Sequence, residues 1–336
     1  MAEKNTALPA SRTRFLTDAD ISLLADWRTA VGALAHAYAQ PIGDASVPPR
    51  SMARGEGIWL RSLTAAVPGG YMGCKLISAS PRAGRASYLV SLFDAGTMEL
   101  AGLLDGNQIT GLRTAATAAV AIDHLAPRKP LRVAVLGSGF EARSQLRALS
   151  TVREFESVAV FSPNPASRRA FIDLFTPQGL QVRDAQTPQD AVQGADVVLC
   201  AARARGEEPI LRAEWLAEGA TVSSIGSTLP EQRELDVSVL ERAACIVADM
   251  PEEVLHDTGD LMAAAKAGLD CASRTVSLSD VVGGRAAARR APADIVVYKS
   301  VGSALQDVVL AGALLDRARA LGVGADLPFS IAPVLK

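Results

Sequence analysis

Phenylalanine, tyrosine and tryptophan together supply only 4% of the 336 residues. So few aromatic rings argue against a stacking platform for single-stranded bases. Basic charge is not in excess either: 34 Lys and Arg stand against 36 Asp and Glu, a formal net charge of −2. A protein that grips a phosphate backbone needs such an excess, so no nucleic-acid partner is expected. The four cysteines, Cys74, Cys200, Cys245 and Cys271, show no CxxC spacing, and histidines number three. That distribution argues against a disulfide scaffold and a structural metal site. His124 and His256 have no partner spacing that suggests a metal or a triad, and both read as structural. No uninterrupted apolar run approaches the roughly 20 residues that span a bilayer. The opening stretch MAEKNTALPASRTRF lacks the apolar core of a signal peptide. Together these absences lead us to expect a cytoplasmic protein with reduced thiols and no membrane partner.

Apolar material is abundant, at 49% against 21% charged, which is enough for a buried core in one large or two ordinary domains. Residues 15–40 read as an amphipathic helix, with Leu23, Leu24, Trp27, Val31, Leu34 and Tyr38 at helical spacing. Thr17 and Asp20 form its start signal. The prolines of PIGDASVPPR (41–50) end it. From Ile58 to Phe93 short β-like runs alternate with Pro- and Gly-containing turns. There Ile58, Leu60, Met72 and Leu76 read as core strand positions. Residues 107–125, rich in Ala and Thr, read as a closely packing helix.

At Leu131 the texture changes. LRVAVL, SVAVFS, ADVVLCAA, ATVSSIGS, ACIVADM and DIVVYKSVG are apolar strand-like runs, most of them separated by helical stretches. That alternation predicts a parallel, doubly wound α/β sheet. Residues 303–322 close the pattern as a long helix.

LRVAVL runs directly into Gly137-Ser138-Gly139-Phe140-Glu141-Ala142, a G-x-G-x-x-A sequence between a strand and a helix. In that context it is the dinucleotide fingerprint. Gly137 makes the tight turn, Gly139 lets backbone approach a pyrophosphate, and Ala142 permits close helix–strand packing. The next strand is expected to end in a ribose-binding acid, yet it ends in Ser162, Pro163 and Asn164. No Asp or Glu lies between Glu156 and Asp173. With no carboxylate to repel a 2′-phosphate, Ser162, Asn164 and Arg168 are candidates to hold one, which favours NADPH over NADH. The plainer reading makes Arg168 and Arg169 a solvated helix face.

The segment DGNQITGLRTAATAA (105–119), followed by the Gly137 motif, resembles the ornithine cyclodeaminase/μ-crystallin family. GCKLIS around Lys75, GSTLPEQRELD (226–236), TGDL (258–261) and YKSVGSALQD (298–307) fit the same family. The resemblance implies a substrate-binding and dimerisation domain of α+β type, residues 1–125 plus 305–336. A Rossmann dinucleotide-binding domain, 126–304, is inserted in it, and the subunit is a homodimer. It also implies a small carboxylate-bearing substrate, either an imine or a 2-oxo acid with an amine.

Carried over residue by residue, the resemblance makes Arg50 and Arg113 the grips for a substrate carboxylate, a task suited to planar guanidinium forks. Arg54 stands only four residues from Arg50. Lys75 matches the active-site lysine and Asp307 an acid near the substrate and nicotinamide. Thr114, Ala201, Ala202, Gly226, Ser300 and Gly302 fall in segments placed against the cofactor. Simpler readings stand beside these: Lys75 as an edge-strand charge, Arg113 in a helix-surface salt bridge, and Asp307 as a first-turn helix acid. Glu207 and Glu208 read as solvated loop charges.

Cyclodeaminases carry an aspartate where this chain has Thr228, if Pro230 and Glu234 are aligned. A hydroxyl cannot serve unaided as a general base near neutrality. The expectation is therefore a reductase of 2-imino acids, with Lys75 as proton donor. An alanine dehydrogenase-like enzyme, a cyclodeaminase and an NADPH-binding protein are the alternatives.

Overall fold

The computed structural model describes residues 12–67, 70–202, 206–328, 331, 333 and 334. Residues 1–11, most of the opening stretch read above, lie outside the described residues. The chain divides into two units: residues 1–26, 42–113 and 303–336 in one, and 27–41 and 114–302 in the other.

In chain order the elements begin with β1 (Arg14–Leu16), α1 (Asp18–Leu24) and α2 (Trp27–Ala39). Next come β2 (Ser51–Gly55), β3 (Ile58–Ala66), β4 (Tyr71–Ser80), β5 (Arg85–Asp94), β6 (Leu100–Asp105) and α3 (Gly106–Leu125). A strand–helix alternation follows: β7 (Leu131–Leu136), α4 (Phe140–Ser150), β8 (Phe155–Phe161), α5 (Pro165–Phe175), β9 (Val182–Asp184) and α6 (Pro188–Val192). It continues through β10 (Val197–Cys200), β11 (Thr221–Ser224), α7 (Val237–Arg242), β12 (Ala243–Ala248), α8 (Pro251–Asp257) and α9 (Gly259–Lys266). The last elements are β13 (Thr275–Ser277), α10 (Leu278–Val282), β14 (Ile295–Lys299), α11 (Ala304–Leu321) and β15 (Ala325–Asp326).

The first unit is a seven-stranded sheet in the order β15-β1-β6-β5-β4-β3-β2. Its strands are antiparallel neighbours except for β1 and β6. Alternation places Leu63, Ala65, Ile77, Val90 and Leu92 on one face, where they are buried. The long helix α11 lies against β3, β4 and β5. Ile58 and Leu60, expected in the core, stand instead 59% and 47% exposed on the opposite face. Strand period alone does not say which face is covered.

The helix expected over 15–40 is three elements. Thr17 and Asp20 form the capping box anticipated for a helix start. That helix, α1, stops at Leu24, however, where Ala25 turns extended, and α2 resumes at Trp27 in the second unit. Leu23, placed on the apolar stripe by spacing, is 72% exposed. The continuous period concealed a two-residue break.

The second unit is an eight-stranded sheet, parallel throughout, in the order β13-β12-β14-β11-β10-β7-β8-β9. Strands such as LRVAVL and VVLC are apolar along their length, as befits a sheet covered on both faces. The strand order reverses at β7, with β8 and β9 to one side and β10 onward to the other. In such sheets ligands bind beyond the carboxyl ends of strands at that reversal. The mixed α/β architecture with a doubly wound parallel sheet agrees with expectation. The division of the chain falls differently: α3 is split between Arg113 and Thr114, and 27–41 joins the second unit.

Candidate active site

In the second unit, β7 delivers the chain into Gly137, whose φ of +118° is a conformation that side chains rarely adopt. A Cβ there would stand 2.8 Å from the carbonyl oxygen of Ala201 in the loop after β10. Beside Gly139, by contrast, the space is open. Gly139 caps α4 without a side chain, so no side chain blocks the approach to the first N–H groups of that helix. Ser138 and Ala142 are buried, while Phe140 is 59% exposed. A glycine-flanked helix terminus of this kind fits a pyrophosphate. Gly137→Ala is expected to destabilise the fold by about 1–3 kcal/mol and to weaken NAD(P)H binding at least tenfold. Thermal melts and a fluorescence titration check both, and an unchanged titration counts against this loop as the pyrophosphate site.

The loops after β10 and β11 are tied together by one carboxylate. Glu234 is fully buried; its Oε1 accepts from Ala202 N at 3.2 Å and its Oε2 from Gly226 N at 3.0 Å. Ser224 Oγ donates to Oε2 at 2.7 Å. A Cβ on residue 226 would fall 2.6 Å from Oε1, so glycine is what allows the carboxylate this close. Burial pushes Glu234 up to about 7, against the opposing pull of Lys299. Lys299 Nζ reaches Asp260 Oδ2 at 3.0 Å and Ser224 Oγ at 2.9 Å. Asp260 Oδ1 in turn accepts from the backbone N–H of Glu234 and Leu235. Sequence reasoning used Glu234 only as an alignment landmark and did not see this buried network. For Lys299 alone a signal was there: a charged residue closing the apolar run IVVY.

Several residues assigned to the cofactor are also engaged within the protein itself. Ser300 Oγ and Gly302 N donate to Asp249 Oδ2, at 2.6 and 2.9 Å, and so shape the turn after β14. Asn164 Oδ1 caps α5, accepting from Ala166 N and Ser167 N. Arg168 is neither a solvated residue nor an open phosphate grip. It is buried, with Nε 2.5 Å from Asp184 Oδ1, Nη1 on Ser162 O and Nη2 on Gln186 Oε1. Arg169 is exposed. Glu207, expected in solvent, accepts from Arg233 N at 3.0 Å. Thr114 lies half-buried on α3, and Glu141 in the first turn of α4.

The first unit gathers the residues expected to handle substrate. Lys75 is fully buried on β4, between β3 and β5, so it is not an edge charge. Its Nζ donates to Asp307 Oδ1 at 3.0 Å and lies 5.8 Å from the centre of the Tyr88 ring. Arg113 places Nε 3.4 Å from the same carboxylate oxygen and donates through Nη1 to Gln306 Oε1 at 2.7 Å. Asp307 does sit in the first turn of α11, but buried and between two cations rather than in solvent. Burial brings Lys75 down to about 8; Asp307 opposes that shift, while Arg113 and Arg61 add to it. The result is an ammonium that gives up its proton near neutrality. Arg50, half-buried, directly precedes β2, and Arg54 is exposed.

No group of His, Cys, Asp and Glu able to hold a metal occurs among the described residues. Nor is any described helix long and apolar enough to cross a membrane. Residues 15–322 match the model of the ornithine cyclodeaminase/mu-crystallin family. The chain belongs to this family. A Δ1-pyrroline-2-carboxylate reductase of Bacillus cereus is 30% identical, covering 72% of this chain and 73% of the relative. The ketimine reductase mu-crystallin of Mus musculus is 33% identical, covering 68% of each chain. Among solved structures, a dimeric archaeal alanine dehydrogenase with bound NAD superposes with a TM-score of 0.85. It is 25% identical, and the match covers 95% of this chain and 99% of that one. Within the family, the position read as a cyclodeaminase aspartate is Thr228 here, whose N–H donates to Gln232 Oε1 at 3.0 Å.

Proposed function

We propose that this chain reduces the C=N bond of a 2-imino acid with a nicotinamide cofactor, NADPH in preference to NADH. The substrate is a cyclic ketimine of the pyrroline- or piperideine-2-carboxylate type, or an imine formed from a 2-oxo acid and an amine. The observation that carries this reading is the buried Lys75 ammonium, paired with Asp307 and flanked by Arg113.

When bound, the nicotinamide supplies hydride to the imine carbon and leaves oxidised by two electrons. The imine nitrogen takes one proton, and Lys75 Nζ is the group that supplies or holds it. Its position near 8 makes it an effective acid at neutral pH. Arg113 and Arg50 grip the carboxylate and so fix the distance to the acceptor carbon. Asp307 keeps the lysine charged despite burial. Thr228 in place of an acid weighs against cyclodeamination.

Preference for the 2′-phosphate is supported by the end of β8, where Ser162, Pro163 and Asn164 offer no carboxylate. The fold does bring Asp184 toward this place, but Arg168 pairs with it. A homodimer is supported by Ile58, Leu60 and Leu89, exposed together on the outer face of β3, β4 and β5. A cytoplasmic location is part of the same proposal.

The test is oxidation of NADPH and of NADH, followed with cyclic imines and, in parallel, with 2-oxo acids plus ammonia or methylamine. Turnover of an imine is expected, with kcat/KM for NADPH at least tenfold above that for NADH. Binding of cofactor without turnover of any imine would overturn the reductase reading, and a preference for NADH would overturn the cofactor assignment.

A further inference from the structure

The Gly137 turn rests on the loop that follows β10. Ala201 N donates to Leu136 O at 3.0 Å. A Cβ on residue 137 would meet Ala201 O at 2.8 Å and the Ala202 side chain at 3.1 Å. Packing this close leaves no slack, so a movement of Ala201 and Ala202 is passed to the turn. Ala202 N in turn donates to Glu234 Oε1 at 3.2 Å. Glu234 lies outside the glycine motif and reaches it only through this loop.

The direction of each hydrogen bond around Glu234 is fixed. Lys299 Nζ can only donate, so Ser224 Oγ accepts from it at 2.9 Å and turns its own proton to Glu234 Oε2 at 2.7 Å. Oε2 also accepts from Gly226 N, whereas Oε1 accepts from Ala202 N alone among the described residues. A proton taken up by Glu234 therefore goes to Oε1, the oxygen with fewer donors, and displaces the Ala202 N–H. The loop after β10 is then released, while the loop after β11 stays tied. Burial and the charge of Asp260 favour the protonated acid; Lys299, Ser224 and the Gly226 N–H oppose it, and the balance places Glu234 at about 7. Asp260 of α9 is itself paired with Lys299 of β14 at 3.0 Å and has Arg233 Nε at 3.6 Å. Cys200 of β10 feels the same carboxylate, its thiol held neutral by burial.

We infer that Glu234 is a positioning residue for the cofactor: through Ala202 its carboxylate holds the Gly137 turn in the form that receives a pyrophosphate, and protonation releases that hold. The inference rests on the assignment of this turn to a nicotinamide dinucleotide and is independent of the substrate.

The probe is NADH, whose pyrophosphate stays ionised between pH 6 and 8, titrated by fluorescence into wild type, Glu234→Gln and Ser224→Ala. In wild type Kd is expected to rise about tenfold from pH 8 to pH 6, the change that one proton taken up near 7 produces. Glu234→Gln puts an amide where the proton would sit. Its Kd is expected to lie at least tenfold above wild type at pH 8 and to stay flat across the range. Ser224→Ala removes a donor that favours the carboxylate, so the break in its pH profile is expected at higher pH than in wild type. A merely structural role would weaken NADH equally at every pH and leave the break in place. A wild-type Kd that ignores pH, a Glu234→Gln protein within threefold of wild type at pH 8, or an unmoved break in Ser224→Ala would overturn the inference. Thermal melts run alongside separate a folding defect from a binding one; where Glu234→Gln does not fold, wild type and Ser224→Ala decide. Folded wild type that binds no NADH at any pH would overturn the dinucleotide assignment, and the inference with it.

Discussion

Replacing Lys75 by Met is expected to lower kcat for imine reduction by about 10²–10⁴-fold, the range contributed by a positioned acid. Methionine matches the length of the lysine stem and suits a site from which water is excluded. Asp307 keeps Arg113 beside it at 3.4 Å, so the fold is expected to persist and the loss to fall on the chemistry. The pH dependence gives an independent check. Only the protonated amine donates, and burial brings Lys75 to about 8. Reduction is therefore expected to proceed at full rate below pH 8 and to decline as the pH rises through that value. In the Lys75→Met enzyme this alkaline limb should vanish from the kcat/KM profile. A variant within tenfold of wild type, with its limb intact, would remove Lys75 from the mechanism.

Asp307→Asn is expected to have the largest effect on stability. Its carboxylate lies fully buried between the Lys75 ammonium and the Arg113 guanidinium. Removing one partner from such a cluster leaves uncompensated charge in a dry interior, which costs about 3–5 kcal/mol. A urea titration at pH 7 measures the loss. The amide also withdraws the interaction that raises the proton affinity of Lys75, leaving burial, Arg113 and Arg61 to depress it. The alkaline limb of kcat/KM should then move below 8. A limb that stays at 8, or a stability change under 1 kcal/mol, would show that Asp307 does not hold the lysine.

Much of this was readable from the chain. The apolar runs from LRVAVL to DIVVYKSVG specify a covered parallel sheet because no other packing buries strands that are hydrophobic on both sides. The Gly137–Ala142 turn was recognisable from its place between strand and helix. Thr17 and Asp20 marked a helix start through hydrogen bonds local to four residues. Lys75, Arg113 and Asp307 could be named, but only by resemblance. Nothing in the spacing of residues 75, 113 and 307 brings them together.

What stayed hidden was long-range pairing. Arg168 looks like a phosphate ligand beside Ser162 until β9 supplies Asp184 from sixteen residues further on. The hydrogen bonds of Ser300 and Gly302 to Asp249 join residues some fifty positions apart. Glu234 is one charge among several in EQRELD until burial and the N–H groups of Ala202 and Gly226 close around it. Arg61 reads as an ordinary strand charge until the register of β3 on β4 places it beside Lys75. The sequence by itself determined the parallel sheet of alternating strands and helices, the G-x-G-x-x-A turn between strand and helix, and which family the chain resembles. Those properties depend on neighbours within a few residues or on apolar period. Only the tertiary structure decided which charges meet, which are buried and which face of each strand is covered. Electrostatic partnership acts through space, and the distance along the chain does not encode it.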